Sequence, residues 1–103
     1  MTPLLSVGPG VIRDTVRLAA LEVPGVMRVG RGGPRWRDIL GGSPIRVRVR
    51  DGRVHVTLWL VARPRQRLGP LGEEVRAAVG AAVVRLLGLE LGGVTVMVDG
   101  VGT

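Results

Sequence analysis

Strict alternation of apolar and polar residues on both sides of a two-residue turn is the feature that most restricts the fold of this chain. Residues 44–50 alternate, Asp51-Gly52 is typical of a tight hairpin turn, and alternation resumes at Arg53. A turn at these two residues predicts a register with Ile45 opposite Leu58, Val47 opposite Val56 and Val49 opposite Val54. All six apolar side chains then share one face, as a half-buried sheet requires.

Two further segments carry apolar residues at helical spacing. One begins at Gly8-Pro9-Gly10 and ends at about Val23, and the other begins at Gly69-Pro70 and ends at Gly88. The residues expected on the core side of these helices are Ile12, Val16, Ala19, Ala20, Val23, Leu71, Val75, Ala78, Val79, Ala82, Val83 and Leu86. Residues 26–29 and 94–98 are predicted strands, the second following a Gly92-Gly93 connection. The link 63–93 is long enough for a helical crossover, so that the last strand can run parallel to a neighbour.

These elements predict an α+β fold. We expect a two-layer sandwich in which two helices pack on one face of a small mixed sheet of three to five strands. A length of 103 residues indicates a single domain, 1–103. Residues 30–44, rich in glycine and arginine, are predicted to form a flexible loop. Trp36, Ile39 and Leu40 are expected to form a short amphipathic turn within it.

The residue types argue against catalysis and metal binding. The chain has no cysteine and one histidine, His55, which excludes disulfides, thiolate metal sites and most histidine-based zinc or triad arrangements. Its carboxylates show no paired, apolar setting of the kind that acid–base chemistry needs. We therefore expect no catalytic residues, no metal and no cofactor.

The chain carries no apolar run approaching the roughly 18–20 residues that span a bilayer. Residues 1–6 lack the charged start and apolar core of a signal peptide, so a cytoplasmic protein is expected. All 15 basic residues are arginine and the net charge is +7. This composition fits a GC-rich coding bias, and the scarcity of amides and cysteine fits a thermophile.

Three stretches together resemble the alkaline shock (Gls-type) envelope stress response proteins. They are Val11-Ile12 leading to Ala19-Ala20-Leu21-Glu22-Val23-Pro24-Gly25-Val26, the hairpin over 45–60, and residues 75–101 with the closing Val94-Thr95-Val96-Met97-Val98-Asp99-Gly100-Val101. The resemblance implies a non-catalytic role in cell-envelope homeostasis, exerted through protein–protein interaction or self-association. It also implies a homo-oligomer and, as partner, a small membrane anchor protein that would hold the chain near the membrane. This chain is strongly basic, whereas many of those proteins are acidic.

The polar face of the hairpin is the candidate interaction surface. The residues proposed for it are Arg46, Arg48, Arg50, Arg53 and Trp59, with Trp36 from the 30–44 segment. Tryptophan and arginine are enriched at the energetic centres of protein interfaces. The same face could instead track a phosphate backbone while Trp59 stacks on a base, which makes nucleic-acid binding the alternative function. Anionic lipid is a third partner, and a solvated face with Trp59 packed under the 30–44 segment is the fourth interpretation.

Overall fold

The computed structural model describes residues 8–102, so the predicted absence of a signal peptide at residues 1–6 lies outside the described part. Residues 8–102 form three helices and four strands in the order αβαββαβ. They are α1 (Pro9–Leu21), β1 (Val26–Val29), α2 (Arg35–Leu40), β2 (Ile45–Arg50), β3 (Arg53–Ala62), α3 (Leu68–Leu87) and β4 (Glu90–Val101).

Strand β3 is the centre of the sheet. Along one edge it pairs antiparallel with β2 over its first half and with β1 over its last residues. Along the other edge it pairs in parallel with β4, and α3 is the crossover between the two. The sheet is therefore mixed and four-stranded, and α1 and α3 pack on its apolar face around one core. The predicted fold class and the parallel last strand are confirmed.

The hairpin has the predicted register. Ile45 pairs with Leu58, Val47 with Val56 and Val49 with Val54. Asp51 and Gly52 both have positive φ angles, 52° and 75°, as a type I′ turn requires. Of the six apolar residues, only Val49 departs from the expected burial: it is 52% exposed. It lies on the edge strand β2 beside the turn, where it is less covered than residues of the central strand.

The two long helices bury the predicted stripes, with one exception. Ile12, Val16, Ala20 and Val23 from the first segment are buried, as are Leu71, Val75, Val79, Ala82 and Val83 from the second, and Ala19 and Ala78 pack against the same core. Leu86 was expected in the core but is 76% exposed. Leu87, four residues after Val83, continues the buried stripe instead. At Gly88, with a φ of 67°, the helix ends as predicted.

Strand β4 begins at Glu90, four residues earlier than the predicted start at Val94. The Gly92-Gly93 pair, which the sequence predicts to be a connection, lies inside the strand, where the register with β3 shifts between Val54 and His55. A Cβ on Gly92 would lie 2.4 Å from the imidazole of His55. Glycine at this position therefore accommodates the His55 ring rather than ending the strand.

Candidate functional site

The sheet face opposite α1 and α3, here called the outer sheet face, carries the predicted arginines. Arg46 pairs across the hairpin with Thr57, Arg48 with His55, and Arg50 with Arg53. All four arginines are exposed. Because the neighbours of Arg46 and Arg48 on β2 point into the core, alternation directs the guanidinium groups outward. Within residues 8–102 no carboxylate lies within ion-pair distance of any of the four.

Trp59 lies on the same face but is half-buried. The guanidinium carbons of Arg31 and Arg46 lie 4.6 Å and 5.0 Å from the centroid of its ring. Its backbone N–H donates to the carbonyl of Pro44 and its carbonyl accepts from the N–H of Gly30, both at 2.9 Å. The two ends of the 30–44 segment are thus hydrogen-bonded to Trp59, which packs under this segment as one of the four interpretations expected.

Polar contacts hold the 30–44 segment to the sheet. Arg31 Nη1 donates to the carbonyl of Gly42 at 3.0 Å, and Arg37 Nη1 donates to the carbonyl of Gly32 at 2.9 Å. The backbone N–H of Gly32 donates to Asp99 Oδ2 of β4 at 3.0 Å. The same carboxylate oxygen lies 3.6 Å from Arg37 Nη2. The segment is therefore attached at both the β3 and β4 sides, and its flexibility stays a prediction.

The expected amphipathic turn is the six-residue helix α2. Trp36, Ile39 and Leu40, at positions i, i+3 and i+4, are 59%, 77% and 77% exposed. Helical spacing places the three side chains on one side of α2. Large apolar residues that cluster on a surface without covering a core are typical of interaction sites. Trp36 is therefore part of an exposed apolar patch on α2. Trp59, on the outer sheet face, is by contrast half-buried.

Sequence reasoning missed Arg31. This arginine is 8% exposed, and it is packed on Trp59 while its guanidinium hydrogen-bonds the chain beyond α2. A Cβ on Gly41 would lie 2.8 Å from its guanidinium carbon, so a glycine there makes room for it. The Arg31-Gly32-Gly33 sequence is typical of a solvated linker, and no alternation or helical spacing around it predicts that Arg31 is buried.

The described residues contain no group of three or more His, Cys, Asp or Glu placed to hold a metal ion. None of the helices within 8–102 is both long and apolar enough to cross a bilayer.

Comparison with family models and with curated proteins finds no match. Solved structures of the MamM CTD are similar to this chain in fold. A variant of that domain has 19% identity and a TM-score of 0.57, covering 88% of this chain and 94% of its own. A second variant has 18% identity and a TM-score of 0.59, covering 90% and 98%. A zinc form has 18% identity and a TM-score of 0.59, covering 91% and 87%. At this identity the likeness establishes a shared α+β fold.

Proposed function

We propose that this chain is a non-catalytic interaction domain of the alkaline-shock type. It acts in the envelope stress response and cell-envelope homeostasis by binding a protein that presents an acidic surface, and by associating with itself. A small membrane anchor protein is the class of partner that the resemblance suggests, and it would hold a cytoplasmic chain near the membrane. The observation that carries the proposal is the outer sheet face, where four exposed arginines have no carboxylate partner within the described residues.

Charge complementarity selects the partner. A cluster of cations of one sign attracts an acidic surface and repels a second copy of itself. The apolar patch of Trp36, Ile39 and Leu40 adds area that a protein partner can cover, and arginine next to tryptophan is the composition of interface hot spots. The similar fold of the MamM CTD is compatible with this proposal but does not specify a partner.

Nucleic acid is the second candidate, and the state of Trp59 argues against it. Single-stranded RNA or DNA binds sheet faces by stacking bases on open aromatic rings. The ring of Trp59 already lies against Arg31 and Arg46, and the only other tryptophan of the chain, Trp36, is on α2 rather than on the sheet. The arginines alone would bind phosphate groups without base stacking, and such binding weakens steeply with salt.

The experiment is quantitative capture of the protein's partners from its native cells, comparing wild type with Arg48→Glu/Arg50→Glu. We expect the variant to lose capture while it keeps the wild-type circular dichroism spectrum and thermal midpoint. The matched control is Arg63→Glu/Arg67→Glu, which changes the net charge equally at exposed positions outside the outer sheet face. Equal capture by the wild type and the face variant would contradict the proposal.

A further inference from the structure

The free edge of β4 differs from the free edge of β2. Within residues 8–102, β2 and β4 each pair with β3 alone, which leaves the second edge of each strand without a hydrogen-bonded neighbour. Strand β2 is six residues long and carries three arginines, the usual protection of an edge strand. Strand β4 is twelve residues long, and it has neither a charge nor a proline between Glu90 and Asp99.

A groove runs along that edge between β4 and the first half of α3. On the strand it is lined by the half-buried Val94, Val96 and Val98 and the exposed Thr95. On the helix it is lined by Leu68, Gly69, Gly72, Glu73 and Arg76. A Cβ at either glycine would meet nothing within 4 Å, so a neighbouring molecule can come close to the helix backbone here. The valines contribute to the core from one side and remain reachable from the other.

We propose that this edge is the site at which two copies of the chain associate, by antiparallel pairing of β4 with β4 of the second copy. The inference rests on the self-association part of the proposed function and names its surface. Pairing of the two edges would join the sheets into one of eight strands and bring the two α3 helices together over the groove. It would also satisfy the backbone groups that the edge leaves open.

The distribution of charge favours a second copy of the chain at the β4 edge rather than at another surface. Two chains of +7 repel each other wherever their arginines meet. Strand β4 contains no basic residue, and Arg76, the arginine of the adjoining groove, is paired with Glu73. The outer sheet face and the β2 edge instead carry Arg46, Arg48 and Arg50. Association through β4 therefore keeps the arginine-rich surfaces of the two copies apart and leaves the outer sheet face available for an acidic partner.

The sequence of β4 also defines a register. When Val96 lies on the two-fold axis, Val94 faces Val98 of the second copy on the core side, and Thr95 faces Met97 on the outer side. Each acidic residue then faces a glycine: Asp99 lies opposite Gly93 and Glu90 opposite Gly102. No like charges oppose one another along the strand, and the central pairs consist of valine, threonine and methionine without any charge.

The test uses charges on the exposed side of the strand, at Thr95 and Met97. In the proposed register Thr95→Lys/Met97→Lys places lysine opposite lysine twice, and Thr95→Lys/Met97→Glu places lysine opposite glutamate twice. Sedimentation of the full chain over a range of concentrations should show a wild-type dimer. We expect the repulsive variant to dissociate at least roughly tenfold more readily than the attractive one. Circular dichroism verifies that both variants are folded.

A matched variant examines a rival surface, the apolar groove between α1 and α3 that Leu18 and Leu86 help to line. Leu18→Lys/Leu86→Lys adds the same charge at two exposed apolar positions beside the groove between α1 and α3. We expect this variant to dimerise as the wild type does. Dissociation of this variant, with no difference between the two β4 variants, would overturn the proposal and place the interface on the helices.

Cysteine cross-linking checks the register directly, because the chain has no cysteine of its own. Val96→Cys should form a disulfide-linked dimer on oxidation, while Thr95→Cys, which faces an unlike residue, should link poorly. A wild type that stays monomeric throughout the concentration series would overturn the edge proposal. Capture of an acidic partner by the outer sheet face would be unaffected by that result, so the two proposals fail separately.

Discussion

The guanidinium carbon of Arg31 lies 4.6 Å from the centroid of the Trp59 ring, and this contact joins the 30–44 segment to the centre of the sheet. Arg31 is among the most buried polar residues, and its side chain also donates to the carbonyl of Gly42. The pair thus couples the chain before α2, the chain after α2 and strand β3. It therefore attaches the segment that carries α2 to the sheet.

We expect Trp59→Ala to destabilise the protein by about 2–3 kcal/mol, below the range for a fully buried tryptophan because the ring is half-buried. Loss of the ring removes the packing surface of Arg31 and Arg46. Chemical denaturation measures the change in the free energy of unfolding. Trp36→Ala is the control: its side chain is 59% exposed, so a change within about 0.5 kcal/mol is expected. Equal losses in the two variants would show that Trp59 is not a packing residue.

We expect Asp99→Ala to loosen the 30–44 segment. Asp99 Oδ2 accepts from the N–H of Gly32 and lies 3.6 Å from Arg37 Nη2, and both interactions are lost. The ion pair is partly exposed and contributes little, so the hydrogen bond sets the expected loss of stability at about 1 kcal/mol. Hydrogen exchange measures the protection of the Gly32 amide, which should fall. Glu90→Ala, an exposed acid on the same strand, should leave that protection unchanged.

We expect Gly92→Ala to destabilise the protein, because the added Cβ would lie 2.4 Å from the His55 ring. A double-mutant cycle with His55→Ala tests the cause, since removing the ring removes the clash. The coupling between the two positions should be about 0.5–3 kcal/mol. Gly93→Ala is the matched control: its nearest atom is His55 Nδ1 at 3.9 Å, an ordinary contact. Additive effects of Gly92→Ala and His55→Ala would contradict the proposed clash between the added Cβ and the His55 ring.

Labelled single-stranded RNA should bind only at low salt. The four exposed arginines displace counterions, so affinity should fall steeply toward physiological salt, and Trp59→Ala should not change that dependence. A fluorescence titration of wild type and Trp59→Ala at low and physiological salt measures both effects. Binding that survives physiological salt and drops on loss of Trp59 would favour the nucleic-acid function instead.

Local sequence determined the parts of the fold that were predicted well. The Asp51-Gly52 turn and the alternation around it specify the whole register of the hairpin, since a one-residue slip would move every valine to the wrong face. Helical periodicity likewise predicted the buried stripes of α1 and α3, because the spacing of apolar residues determines which side of a helix they share. Leu86 was wrongly placed because periodicity cannot tell which of two neighbouring apolar residues continues the stripe at the end of a helix.

Long-range contacts explain what the sequence could not predict. The early start of β4 depends on the fit between Gly92 and His55, which are 37 positions apart, and an isolated Gly-Gly pair is normally a connection. The burial of Arg31 depends on Trp59, which lies on β3, 28 positions further along the chain. The arginines of β2 were correctly placed on one face, because the alternation along a strand determines which side chains share a face. The molecule that this face binds cannot be predicted from such a local pattern.

In-cell photo-cross-linking tests the central claim that the outer sheet face binds a protein. A photoreactive residue would replace Arg50 at the exposed end of the hairpin or, as a control, Arg85 on the exposed side of α3. We expect a discrete protein adduct from position 50 that is absent from position 85. Adducts to nucleic acid from position 50, or the same protein adducts from both positions, would contradict it.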